Sequence, residues 1–347
     1  MNRFLAKIIT SVIPSKPMRK RARNSLSGPV KTPHIRHKIY GKIYMPYYNR
    51  SAEIDSAVPQ IYSAEGRRMD MFFLRDLHSA HIPGLAPSKY FLWDRFNFGL
   101  DTHFYSHNAM LEQMGSPSRK YGMLIETPSM VPRDYKIFRK HPSLAQDFDA
   151  IFTYDAEILE TVSNAKFAPF PADLGVFYPR SKISAGKYLQ KTRRVSMVSS
   201  HKRSCPLHNL RYDLAHYCKN RGLADTFGTF DGGPRIDTLA DVYDSYMYSI
   251  IVENDIRPYQ FSERLTAAFC AMTIPVYIGA SRIGEFFNTG GMVLISPDNA
   301  EAELAKALPQ CTPGAYQARL EAVKDNFERV QQYISPFDAI YERYLAR

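Results

Sequence analysis

The clearest pattern of apolar and polar positions runs through residues 246–280. Ser249-Ile250-Ile251-Val252 is a β-branched run, the pattern of a strand covered on both faces, and three polar residues, Glu253, Asn254 and Asp255, follow it directly. Beyond Pro258, Ser262 stands where an N-cap would, and Leu265, Phe269 and Met272 fall on one face of a helix beginning near Glu263. Thr273-Ile274-Pro275-Val276-Tyr277 then predicts a second strand, ended by Gly279. Similar blocks predict strands at 121–125, 150–154, 167–170 and 194–198, and apolar-aromatic runs lie at 70–77 and 89–98. Helical spacing is read near 209–221 and 236–243. It returns over 315–345, where Leu320, Val323, Phe327, Val330 and Tyr333 recur every third or fourth residue. Strands alternating with helices predict an α/β protein with parallel sheets. A polar passage with Pro, Gly and Ser at 171–191 divides it in two. The expected organisation is a leader over 1–33, an N-terminal domain over 34–175, a C-terminal domain over 176–314 and a helical segment over 315–347.

Composition changes this picture at one end only. The chain has 347 residues, 45% of them hydrophobic, with 23 Tyr and 21 Phe, enough for two packed cores. Its formal charge of +11 is local: up to Arg50 there are twelve Lys or Arg and no acid, and the rest carries 33 basic against 34 acidic residues. A body of charge −1 without an aromatic-basic motif argues against a nucleic-acid binder. In the leader, Phe4, Leu5, Ile8, Ile9, Val12 and Ile13 share one helical face, which stops at Pro14, too short to span a bilayer. No small-x-small cleavage site follows to make it a signal peptide. Two readings stand. One is an interfacial anchor, with residues 3–23 drawn to anionic lipid on the inner face of the cytoplasmic membrane. The other is a plain basic tail. Cys205, Cys218, Cys270 and Cys311 have no CxxC spacing, so a reducing cytoplasm is the expected compartment. The ten His form no HExxH or HxH cluster, and Asp147-Phe148-Asp149 has the setting of a turn rather than of a metal site.

Candidate chemistry gathers after the strand at 249–252. In open α/β sheets ligands bind beyond the carboxyl ends of strands, which is where Glu253, Asn254 and Asp255 fall. A helix N-terminus carrying Arg264 beside that strand end suits a diphosphate, since free N–H groups, the helix dipole and a guanidinium all favour an anion. On the residues alone a solvated Glu263–Arg264 pair in a first helical turn is the commoner source of such a pattern.

The order of several segments resembles glycosyltransferase family 10, the α-1,3/1,4-fucosyltransferases. Glu253-Asn254, the ten-residue step to Ser262-Glu263-Arg264, and Thr273-Ile274-Pro275-Val276-Tyr277 are similar to that family's Glu-Asn, Thr-Glu-Lys and second-strand blocks. Upstream, Glu126-Thr127-Pro128-Ser129 resembles its Glu-Ser-Pro-Ser. Residues 148–154 with 167–170 resemble its Phe-Asn-Trp-Thr stretch, and 196–200, ending at Ser200, its strand before a phosphate-binding loop. The likeness covers about residues 121–297. It implies a GT-B fold, two Rossmann-like domains with parallel sheets facing a cleft. It also implies inverting transfer of fucose from GDP-fucose to a hydroxyl of a GlcNAc- or Glc-type glycan or glycolipid acceptor, with no essential metal and no other cofactor. Glu126 is then the expected general base and Arg264 the cation at the diphosphate. Glu263 would meet the ribose hydroxyls, and Glu253, Asn254, Tyr259 and Ser262 would line the donor site with Ser200. The second phosphate cation is open between Arg211, His208 and Arg203. The chain departs from the resembled pattern where Arg264 replaces Lys, Asp255 replaces Ser, and Gln260 takes the place of a Tyr that here falls one residue early, at Tyr259. Another GT-B transferase with a different nucleotide-sugar, and a non-catalytic nucleotide or glycan binder, are the alternatives.

Overall fold

A computed structural model describes residues 69–76, 88–94, 97–172 and 174–346. The leader at 1–33, a Tyr-rich stretch at 34–48, and residues 77, 95 and 96 of the two aromatic runs lie outside the described residues. Among the described residues six strands form a first sheet: β1 (Asp70–Arg75), β2 (Phe91–Asp94), β3 (Thr102–Ser106), β4 (Arg119–Leu124), β5 (Ala150–Thr153) and β6 (Ala165–Phe167), in the order β2-β1-β3-β4-β5-β6. Five form a second: β7 (Arg193–Val198), β8 (Asp225–Phe227), β9 (Tyr246–Val252), β10 (Ile274–Ile278) and β11 (Val293–Leu294), in the order β11-β10-β9-β7-β8. Every pairing among these strands is parallel. The expected α/β class with two parallel sheets is therefore what the chain adopts.

The apolar runs become central strands because both of their faces are covered. All five residues of β10 and six of the seven in β9 are buried, in a register that sets Ile274 beside Tyr248 and Ile278 beside Val252. Helices flank the two sheets: α1 (Ala156–Thr161) the first, and α2 (Pro206–Asn220), α3 (Glu263–Cys270), α4 (Ala300–Ala307) and α5 (Leu320–Val330) the second. One face of the second sheet packs with Leu214, Cys218, Leu304, Val323 and Phe327, the other with Leu265, Phe269 and Cys270. The four cysteines are free and buried, each a small apolar side chain in its surroundings.

Three expectations change. The strand at 167–170 is instead Ala165–Phe167, because Pro169 has no N–H to give to a ladder. The helix near 236–243 is reduced to Ala240–Tyr243, since Thr238 Oγ1 both donates to Phe177 O and accepts from Ala240 N, an open turn in place of a helical one. The closing helix is broken at Ser335-Pro336. After the break, α6 (Pro336–Ile340) and the turn that follows lie on the first sheet. Tyr341 stacks on Tyr90 with ring centroids 4.7 Å apart and donates its hydroxyl to Asp70, and Phe337, Ile340 and Leu345 join Phe72, Trp93 and Phe104 in one core. Among the described residues no helix is long and apolar enough to cross a membrane.

Strand order reverses in each sheet. The chain steps outward from β1 to β2 and then to the other side at β3, and likewise from β7 to β8 and then to β9. Loops leaving neighbouring strands at such a reversal turn to opposite faces, and a crevice opens outside their carboxyl ends. Residues 199–205, after β7, and 253–262, after β9, border the crevice of the second sheet.

Candidate functional site

Glu253 directly follows β9 and is fully buried. Its Oε1 accepts from Ser262 N at 3.0 Å and from Tyr277 Oη at 3.4 Å, while Oε2 has no hydrogen-bond partner among the described residues. Burial raises its pKa and the hydrogen bonding to Ser262 works the other way. Gly279 makes room for it, since a Cβ there would come within 2.5 Å of Glu253 Cγ and 2.4 Å of Tyr277 Oη. Glu253 thus braces the start of α3 from beneath instead of presenting a carboxylate to a pocket, as the sequence had led one to expect. Ser262 caps α3, its side chain accepting from Arg264 N.

Asn254, the next residue, gathers the cations. Its Oδ1 accepts from His208 Nε2 at 3.0 Å and lies 3.4 Å from both terminal nitrogens of Arg211. Arg211 also donates to Val252 O at 2.8 Å, and Cys205 Sγ to Asn254 O. Ser204 N donates to His208 Nδ1 at 3.2 Å, which fixes the imidazole proton on Nε2. Burial and the charge of Arg211 push the His208 pKa down to about 4, so it is a neutral donor. Burial, and then the charge of Arg264, bring Arg211 down to about 9, still cationic at neutral pH. Two guanidiniums that disfavour one another, beside a capped helix start, make a place where an anion is welcome.

Of the three residues left open by the sequence, Arg211 and His208 both reach Asn254. Arg203 turns away along α2 to Asn209, Asp213 and the ring of Tyr212. Glu263 lies 3.5 Å from Arg264. Ser200 is half-buried in the loop after β7. Tyr259 goes elsewhere: its ring packs on Phe167 of β6 and on Phe286, and its hydroxyl meets Arg282. One neighbour went unnoticed in the sequence, Tyr243. It is fully buried, within reach of the charges of Arg264, Glu263, Glu253 and Arg211, and its hydroxyl has no hydrogen-bond partner among the described residues. It reads as core, which is why the pattern hides it.

Glu126 follows β4 and is half-buried. The backbone N–H groups of Ile125 and Glu126 donate to His107 Nε2 at 3.1 and 3.0 Å, so the His107 proton sits on Nδ1, 3.5 Å from Asp134. Tyr135 Oη donates to Glu126 O at 2.6 Å. His107 holds a φ of 52°, left-handed for a residue with a Cβ, a strain that surrounding contacts must hold in place. These supports come from the ends of β3 and β4 and from the segment after them. Asp147 and Asp149 form a turn, as expected, with Asp149 accepting from Lys120 N at 2.7 Å. Among the described residues no group of three or more His, Cys, Asp or Glu could hold a metal ion.

The two halves touch beside Glu126. Asp255 Oδ2 accepts from Ser129 N at 3.1 Å and from Arg257 Nε at 3.1 Å.

No family model and no curated protein matches the sequence. Among solved structures, the fold is similar to an α1,3-fucosyltransferase with GDP (TM-score 0.49, 12% identity, covering 81% of this chain and 95% of that one). It is similar too to TarM (TM-score 0.47, 11% identity, covering 69% and 53%). A third is Anabaena HepE in complex with UDP-glucose (TM-score 0.45, 14% identity, covering 69% and 75%).

Proposed function

We propose that this chain is an inverting GT-B glycosyltransferase that binds a nucleotide-sugar against its second sheet and transfers the sugar to a glycan or glycolipid hydroxyl, with GDP-fucose as the leading donor. One observation carries the reading: a cationic cluster, Arg211 with neutral His208 on Asn254 and Arg264 at the start of α3, stands at the strand-order reversal of the second sheet, and the contact from Asp255 to Ser129 brings that strand end to the segment bearing Glu126. The chemistry needs both sides. The acceptor oxygen attacks the anomeric carbon from the face opposite the leaving group and gives its proton to the Glu126 carboxylate. The bond from the anomeric carbon to the β-phosphate oxygen breaks, and Arg211, Arg264 and the positive end of the α3 dipole take up the charge of the departing diphosphate. That task needs no metal.

Calorimetric titration of the full chain with GDP, UDP and ADP is expected to show tightest binding of GDP. Preference for UDP would overturn the fucosyl assignment in favour of another nucleotide-sugar. Glu126→Gln is expected to lower transfer by about 10²–10⁴-fold with GDP affinity unchanged. Undiminished transfer by that variant removes Glu126 as base, and a wild type inert with GDP- and UDP-sugars leaves a binding protein.

A further inference from the structure

Asn254 and Asp255 are consecutive, yet their side chains are committed to different sides of the cleft. Asn254 Oδ1 takes up His208 and Arg211 of the second sheet's crevice. Asp255 Oδ2 takes up Ser129 N, three residues beyond Glu126 and in the first-sheet half of the molecule. Ser129 belongs to a tight turn closed by Met130 N and Val131 N, both donating to Thr127 O. Its amide is left facing outward toward Asp255.

Arg257 steadies the carboxylate. Burial disfavours its charge, but the hydrogen bond and charge of Asp255 outweigh that and hold the guanidinium cationic, helped by Asp155 of the first-sheet half. Asp255 Oδ1 accepts from Ile256 N at 2.9 Å. The negative charge that replaces Ser here is therefore spent on Ser129 and Arg257, away from the anion-binding cluster.

We infer that Asp255 is a positioning residue that latches the donor-side strand end to the 127–131 turn and so fixes where Glu126 stands relative to a bound nucleotide-sugar. The latch joins two elements of different sheets through one charge-assisted hydrogen bond, and a shift of about 1 Å in a base costs rate steeply. Its role in catalysis rests on the transferase reading; the contact itself does not.

The test combines hydrogen exchange and kinetics on the full chain. In Asp255→Ala, amide exchange is expected to rise across 127–131 and to stay at the wild-type level elsewhere in the first sheet. Transfer should lose about tenfold or more in kcat, with donor KM changed less than about twofold and GDP affinity kept. Asp255→Asn, which retains one oxygen for Ser129 N, should recover most of both effects. Arg257→Gln should raise exchange in the same turn without removing its acceptor, and it carries the test if Asp255→Ala fails to fold. Unchanged exchange at 127–131 overturns the latch. So does raised exchange with kcat intact, or an equal loss in Asp255→Asn and Asp255→Ala. If the wild type transfers nothing, the transferase reading falls while the latch is still judged by exchange. If transfer depends on Glu126 but not on Asp255, the latch falls and the reading stands.

Discussion

His208 shows how much of a site is decided by one proton. With Nδ1 occupied by Ser204 N, the ring presents Nε2–H to Asn254, and its pKa of about 4 lies below the 6.5 of a free imidazole. Between these values the unfolded chain binds a proton that the folded chain refuses, so stability is present above pH 6.5 and is lost as pH falls toward 4. Urea unfolding at a series of pH values should show that loss in the wild type and a flatter profile in His208→Gln, which keeps an N–H for Asn254 but does not titrate. Equal slopes would mean that His208 does not carry the effect. At this scale the sequence pointed to Glu253, Asn254, Ser262 and Arg264 because they flank a strand end and a helix start, positions that spacing reveals. It could not show that Glu253 faces inward, or that Asn254 is the common acceptor for His208 and Arg211 from more than forty residues away. Those facts depend on which strands become neighbours. Tyr259 misled for a related reason: an aromatic beside a binding loop suits a ligand and a junction equally, and Phe167 supplied the junction.

Elements were readable in proportion to how uniformly apolar they are. β9 and β10 stand out because nearly every side chain is apolar and covered. β3 did not, although all five of its residues are buried and it lies centrally between β1 and β4. Thr-His-Phe-Tyr-Ser looks too polar for a core strand, yet His103 Nδ1 pairs with Tyr105 Oη at 2.8 Å and Ser106 donates to Asp76 at 2.6 Å, so these side chains find partners inside. The start of α3 was the most informative boundary, since its cap could be read from Ser262 alone. Ser262→Ala should cost about 1 kcal/mol of stability through the lost bond to Arg264 N. In denaturant unfolding this would appear as a lower midpoint with an unchanged slope, and a midpoint equal to wild type would show that the cap is dispensable.

The molecule as a whole is closed by its last stretch of chain. Phe337, Ile340, Tyr341 and Leu345 follow every strand of the second sheet, yet they complete the core of the first. The sequence showed a continuous helical pattern here, because periodicity reports which positions are apolar and is silent about the sheet they meet. Removing residues 336–347 should strip that face from Phe72, Phe91 and Trp93. Faster amide exchange in β1 and β2, with β9 and β10 unaffected, is the expected outcome, and unaltered protection in β1 and β2 would show that the return is not needed. The same crossing also sets an order of events during synthesis. A ribosome releases β1 to β6 long before it reaches Phe337, so the first-made half waits with one face of its sheet open while the later half is still being produced. Only when residues 336–345 emerge and fold back past the second sheet does that face of the first sheet close.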